Sequence, residues 1–283
     1  MKVQSILKKE GINPIKIVEK SKGFDHKIYL IYSNQGNFVL RMPIKEKNKI
    51  MAQAWAFKRW GEIGVPVPKI ISIKKDYLLE ELIEGEDMDD ENPSEKVCQK
   101  ILFNLGKYLK KMHTIRTKGF GYMKSEGVGT KSSWNDFIYP DFMETLKDNF
   151  KNKTINKTIK EVAEKYVNQN IAILNIRGPR LLHSDISNDN IIIKDDKISG
   201  IIDASDSMSG DPYYDLGVVR ANFGDKLFEH FARGYGKIDK KRLDFYTLYY
   251  YNWKMYVKAN IRKNPRKLRI FLKEFKRILS EQE

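Results

Sequence analysis

The stretch from Leu181 to Asp206, LLHSDISNDNIIIKDDKISGIIDASD, constrains this chain more than any other. Two short Ile-rich runs flank the charged cluster Lys194 to Lys197, a pattern that predicts a β-hairpin. The polar loop His183 to Asn190 enters that hairpin and Asp203 leaves it, so closing it brings Asp185, Asn190 and Asp203 together. Their spacing is His-x-Asp-x-x-x-x-Asn, with an Asp thirteen residues after the Asn. Phosphoryl transfer needs such a set: a carboxylate to orient and deprotonate the attacking hydroxyl, and hard oxygen ligands for the magnesium that accompanies the phosphates. Asp185 suits the first role, Asn190 and Asp203 the second, and His183 braces the loop. Taken singly, each is also what a turn selects, because Asp and Asn side chains bond local backbone. The spaced set in a strand, loop and hairpin context is what points to catalysis.

Composition narrows the classes. The chain has 283 residues, enough for one large domain or two lobes. No apolar run approaches the roughly twenty residues of a membrane span, and the start MKVQSILKKEG lacks a signal-like apolar stretch, so a cytoplasmic enzyme without membrane contact is expected. The single cysteine, Cys98, rules out an intramolecular disulfide and a cysteine-rich zinc site. The net charge of +15 invites a nucleic-acid reading. Much of that charge, however, lies in Lys258, Arg262, Lys263, Arg266, Lys267, Arg269, Lys273, Lys276 and Arg277. Apolar residues recur among them at helical intervals, so most are expected on the wet face of an amphipathic helix, and nucleic acid is not the expected partner.

The motif His183-Ser-Asp185 through Asn190, followed by Ile-Ile-Asp203, resembles the catalytic and metal-binding loops of the aminoglycoside phosphotransferase family, distant relatives of protein kinases. The tail Ser205 to Asp215, the stretch Gly119-Phe-Gly-Tyr122 and the run Trp134-Asn-Asp136-Phe-Ile138 are similar too, nearest to the hygromycin B phosphotransferase branch. The resemblance extends from about Gly23 to Tyr235. It implies a two-lobed α+β kinase-like fold, with a nucleotide-binding sheet lobe over residues 1–83 and a helical catalytic lobe over 84–283. It also implies transfer of the γ-phosphoryl of ATP or GTP, with Mg²⁺, to a hydroxyl of an aminoglycoside or aminocyclitol, and hence antibiotic resistance. A macrolide, choline, thiamine or sugar kinase, or a non-catalytic nucleotide binder, are the rival readings. A monomer or weak dimer is expected.

The remaining site residues are placed by that resemblance. Strands are expected at 15–19, 27–32 and 37–42, and the turn between the first two, with Ser21 and Gly23, would cover the nucleotide phosphates. Arg41 stands where relatives often carry the Lys that holds the α- and β-phosphates. The helix expected over 45–63 should pair that cation with a Glu, yet the matching position is near Gln53, and Gln53 or Glu46 would have to substitute. Strands at 69–73 and 77–82 complete the sheet, and Glu80 to Ile83, with Glu80 and Leu82 as contact residues, would be the hinge whose backbone reads a base edge. The acidic run after it, with Glu84, Glu86 and Asp87, is either a solvated linker or part of a carboxylate rim that joins Asp206 and Asp211 in holding a cationic substrate. Asp211 is alternatively a cap for the helix that follows it. Helices are expected over 93–115, 134–150 and 154–173, with 117–133 as a glycine-rich loop. The cluster Tyr246, Tyr249, Tyr250, Tyr251, Trp253 and Tyr256 suits core packing or stacking on a ligand.

Overall fold

The computed structural model describes residues 2–20, 26–44 and 48–281. It opens with α1 (Lys2–Lys9), then β1 (Pro14–Lys20), β2 (His26–Ser33) and β3 (Gly36–Pro43), helix α2 (Asn48–Gly61), and β4 (Ile70–Lys74) and β5 (Tyr77–Glu81). These strands form one antiparallel sheet in the order β1-β2-β3-β5-β4. Its strands are rich in β-branched and aromatic residues, and one face packs Ile31, Leu40, Met42, Tyr77 and Leu79 against Ile6 and Leu7 of α1. The helix ends where Gly64 adopts φ +72° and Pro66 and Pro68 follow.

The chain continues with β6 (Glu86–Asp87), α3 (Met88–Glu91), α4 (Glu95–Met112), β7 (Phe120–Ser125), β8 (Val128–Lys131), α5 (Asn135–Lys151) and α6 (Lys157–Gln169). The predicted loop over 117–133 is therefore largely a hairpin. Its glycines make the close approach possible: a Cβ on Gly129 would lie 2.4 Å from the carbonyl oxygen of Phe120. Next come β9 (Arg180–Leu182), β10 (Ile191–Lys194), β11 (Lys197–Ile201) and β12 (Met208–Gly210). Strands β10 and β11 are the predicted hairpin, turning through Asp195 and Asp196, both in left-handed backbone. Three helices finish the fold: α7 (Tyr213–Tyr235), kinked at Gly224, α8 (Lys240–Tyr256), and α9 (Pro265–Ser280), with a π turn Val257–Ile261 between the last two. One apolar core joins α4, α5, α7, α8 and α9, and α2 of the sheet region also packs into it through Phe57 and Trp60. No helix is long and apolar enough to cross a membrane.

Candidate active site

The loop between β9 and β10 is held by a buried carboxylate, Asp215, which the sequence marked only as the end of the Ser205 to Asp215 tail. Asp215, on the first turn of α7, accepts the backbone N–H groups of His183 at 2.9 Å and Ser184 at 2.7 Å, and its Oδ2 lies 3.0 Å from His113 Nε2. Ser184 sits at φ +68°, a conformation a non-glycine residue keeps only when its surroundings impose it. His183 is fully buried, stacks on Trp60 with ring centroids 5.8 Å apart, and lies 3.0 Å from the Ile202 carbonyl. It braces the loop, as its position in the sequence suggested.

Asp185, Asn190 and Asp203 meet on the floor of a cleft of about 650 Å³, a size suited to a small ligand. The Asn190 amide donates to the Asp185 carbonyl at 2.8 Å and to its carboxylate at 3.3 Å, leaving the amide oxygen as a hard donor. Asp203 adopts φ +59°, and one of its buried carboxylate oxygens has no hydrogen-bond donor. Burial works against its charge, but the Arg41 guanidinium and a Ser205 hydrogen bond hold its carboxyl below the ordinary value. A carboxylate oxygen with no hydrogen-bond donor and an amide oxygen lining the same cleft fit Mg²⁺, which completes its shell with phosphate and water. Among the described residues no group of three or more His, Cys, Asp or Glu forms a protein-only metal cage. Asp185 is pushed up by burial, against the pull of Lys254.

The missing helix acid is resolved by a strand. Arg41 Nε donates to Glu80 Oε1 at 2.7 Å, and Gln53 Nε2 donates to Glu80 Oε2 at 3.0 Å. Arg41 Nη1 lies 3.6 Å from Asp203 Oδ1. Glu80 thus supplies, from β5, the carboxylate expected from α2, and Gln53 at the helix position orients it. The expected hinge role of Glu80 is corrected accordingly: its side chain belongs to the ion pair, and its backbone lies between β3 and β4. The Leu82 N–H donates to the Asn37 carbonyl at 2.9 Å, which leaves its carbonyl as the group that could meet a base edge. Ser21, Gly23 and Glu46 lie outside the described residues.

Of the five carboxylates expected to hold substrate, one lines the cleft. Asp206 does so, paired with Lys49 of α2 at 2.9 Å. Asp211 is fully buried: its Oδ2 accepts from Arg242 and from Tyr246 Oη, each at 2.7 Å, and its Oδ1 from the Tyr213 N–H at 3.1 Å, so it is engaged inside the fold, between the start of α7 and α8, and not at the cleft. Glu84 is exposed and paired with Lys194 of the adjoining hairpin. Asp87 caps α3 through the Asp89 and Asp90 N–H groups and pairs in β6 with Ile192. The acidic run is ordered because β10 offers it a strand partner, a long-range event with no local signal.

The cleft is lined by further residues, some of them named from the sequence only as core or surface candidates. Asp89 and Asp189 line it, and burial together with Asp89 pushes the Asp189 carboxyl up. Tyr122, Phe137, Tyr214, Tyr249, Tyr250 and Trp253 form aromatic walls, so the α8 cluster divides between lining the cleft and, at Tyr246 and Tyr251, packing the core. Lys254, Lys258, Arg262 and Lys267 also line it; Arg262 and Lys267 are exposed, as expected of the wet face, and Lys258 is half-buried. The four-residue spacing from 254 to 262 was the available signal. A second concavity, of about 690 Å³ between Phe150 and Lys276, is lined by no carboxylate.

The chain is 23% identical over 254 residues to an aminoglycoside 3'-phosphotransferase of Enterococcus faecalis, covering 84% of this chain and 89% of that protein. It is 20% identical over 175 residues to a hygromycin-B 4-O-kinase of Escherichia coli, covering 57% of this chain and 49% of that one. Its fold matches the apo crystal structure of a thermostable mutant of aminoglycoside phosphotransferase APH(4)-Ia with a TM-score of 0.75 at 16% identity, covering 99% and 98% of the two chains. The model of the phosphotransferase enzyme family matches residues 16–246, a span that holds the Asp185, Asn190 and Asp203 floor and the Arg41 pair, and the chain belongs to that family of enzymes, which move a phosphoryl group onto a hydroxyl.

Proposed function

We propose that this chain is a Mg²⁺-dependent O-phosphotransferase that moves the γ-phosphoryl of ATP or GTP to a hydroxyl of a small molecule seated in the cleft. The observation that carries the reading is the convergence of Asp185, Asn190 and Asp203 on one cleft floor. Asp185 orients the acceptor hydroxyl and takes its proton. Arg41, fixed by Glu80 and Gln53, faces the phosphates. Asn190 and Asp203 would hold Mg²⁺, whose charge neutralises phosphate oxygens when it is bound. We place the nucleotide between the sheet lobe, residues 1–83, and the helical lobe, 84–283. A base edge would be read by hinge carbonyls or by backbone beyond Leu82. The enzyme is taken to act in the cytoplasm as a monomer or weak dimer.

The relatives' names favour an aminoglycoside or aminocyclitol acceptor, and Asp89, Asp189 and Asp206 at the cleft offer carboxylates for its amino groups. Lys254, Lys258, Arg262 and Lys267 line the same cleft, so a neutral or anionic hydroxyl compound is the second reading. The deciding experiment is nucleotide consumption with magnesium across aminoglycosides, macrolides, choline and sugars, run beside Asp185→Asn. Turnover with at least one acceptor, lowered by orders of magnitude in Asp185→Asn while nucleotide affinity stays near parental, is the expected outcome. Parental turnover in that variant would remove Asp185 from the reaction.

A further inference from the structure

His113 stands at the end of α4, yet the capping there is done by its backbone N–H, which donates to the Leu109 and Lys111 carbonyls, and its buried side chain is free for another task. The two ring nitrogens reach the two ends of α7. Nε2 lies 3.0 Å from Asp215 Oδ2 on the first turn of that helix, and Nδ1 lies 2.9 Å from the hydroxyl of Tyr235, its last residue. On a straight helix Asp215 and Tyr235 would stand about 30 Å apart. The break at Gly224, with φ 75° and ψ 166°, divides α7 so that both halves meet one imidazole. Glycines let the second half dock on α4 backbone to backbone: a Cβ on Gly106 would lie 2.2 Å from the Phe231 carbonyl oxygen, and one on Gly234 1.9 Å from that of Phe103. That close approach is what carries the Tyr235 hydroxyl to His113.

The hydrogen bonds run in one direction. The Asp215 carboxylate, which also takes the His183 and Ser184 N–H groups, can only accept, so Nε2 carries the hydrogen, Nδ1 is left as an acceptor and the Tyr235 hydroxyl donates to it. The ring is thereby fixed from both sides, and it fixes the plane of the carboxylate in turn. Asp185 follows Ser184 directly, and Ser184 is held at φ +68° by this arrangement, so the direction in which Asp185 enters the cleft depends on that plane. We infer that His113 is a positioning residue for the transfer. It is buried and does not line the cleft; it holds Asp215, and through Asp215 the His183-Ser184 backbone, so that Asp185 faces the acceptor hydroxyl. The inference rests on the phosphotransferase reading of Asp185. A misplacement of about 1 Å among reacting groups costs on the order of 100-fold in rate, which sets the scale of loss when this support is cut.

The test compares His113→Gln with His113→Asn in the whole protein saturated with magnesium AMP-PNP. The Gln amide reaches the place of Nε2 and keeps a donor for Asp215, whereas the shorter Asn reaches only the place of Nδ1. The measurement is amide hydrogen exchange at His183 and Ser184, read by NMR against the backbones of α4 and α7, and it needs no acceptor. Exchange at the two loop amides rises about tenfold or more in the Asn variant and stays near parental in the Gln variant, with α4 and α7 unchanged in both. Parental loop exchange in the Asn variant, equal acceleration in the two variants, or acceleration spread evenly over α4 and α7 overturns the inference, the last because it marks a support of the fold at large. Should the Asn variant not fold, Tyr235→Phe deletes one hydroxyl and gives the same local effect at about threefold, and parental exchange there overturns the inference as well. Spectra of ¹⁵N-labelled histidine show the His113 hydrogen on Nε2; one on Nδ1 overturns it too. With the acceptors of the nucleotide-consumption screen, the Asn variant turns over about 100-fold more slowly at parental magnesium AMP-PNP affinity, and an equal loss in both, or in neither, counts against it. No turnover in the parent, or parental turnover in Asp185→Asn, sinks the phosphotransferase reading alone, while loop exchange still decides whether His113 holds the loop.

Discussion

Replacing Glu80 by Ala should cost this chain more than any other single change near the cleft. Arg41 is 4% exposed, Glu80 1% and Gln53 fully buried, so the variant strands a guanidinium away from water and leaves the Gln53 amide without its acceptor. Breaking a buried pair from one side costs about 3–5 kcal/mol, a large share of the roughly 5–15 kcal/mol that holds an ordinary domain together. Function should suffer as well. With Glu80 gone, Arg41 is left with the Asp203 carboxylate 3.6 Å away, and a tighter contact there competes with the metal for the same oxygens. Urea denaturation followed by tryptophan fluorescence reads the first effect, and a magnesium-nucleotide titration the second, expected at about tenfold or ~1.4 kcal/mol. The double variant Glu80→Gln/Gln53→Glu returns the acid to the helix and should recover a good part of both losses, with a coupling on the order of 0.5–3 kcal/mol between the two positions. Stability within about 1 kcal/mol of the parent in Glu80→Ala, with unchanged nucleotide binding, would refute the view that a strand acid has replaced the helix acid.

Three further outcomes follow from the site. Asp203→Ala should weaken magnesium-nucleotide binding as well as turnover, and Asn190→Ala should do so less, since an amide brings no charge to the metal; equal binding with and without magnesium in the parent would remove both from the metal site. Asp215→Asn keeps the size of the side chain but cannot accept at both oxygens, so it should destabilise the fold by about 1.5–3 kcal/mol and lower turnover together; a loss of turnover at full stability would give Asp215 a direct chemical role. Burial brings the Lys254 ammonium down to about 8 from an ordinary 10.5, with Asp185 and Asp189 raising it and Lys258 and Arg262 lowering it. Between about 8 and 10.5 the unfolded chain binds more protons at this lysine than the folded one, so this group makes stability rise with pH there. Urea midpoints that rise with pH between about 8 and 10.5 as steeply in Lys254→Met as in the parent would show that this lysine is not the group responsible.

The amino-acid sequence by itself determined the elements whose signals are local. Ile-rich runs and Asp195-Asp196 made the β10-β11 hairpin readable, and the hairpin fixed the meeting of Asp185, Asn190 and Asp203, because a turn of that length leaves little freedom in where its ends lie. The strands of the first sheet and the helices α4 to α6 were legible for the same reason, periodicity and turn residues within a few positions of one another. Tertiary structure alone decided which charge answers which. Asp211 reads as a loop carboxylate until α8 brings Arg242 and Tyr246 to it, and Asp215 until α7 carries it beneath the His183-Ser184 backbone. Glu80 and Gln53 are 27 residues apart and exchange the roles expected of them only because β5 lies between β3 and β4 in the sheet. The C-terminal cations follow the same rule. Their helical spacing was visible, but which side of that helix meets water depended on the cleft that α8, the π turn and α9 close around. Charge pairing acts over a few ångströms in space and takes no account of separation along the chain, so local sequence carries no record of it.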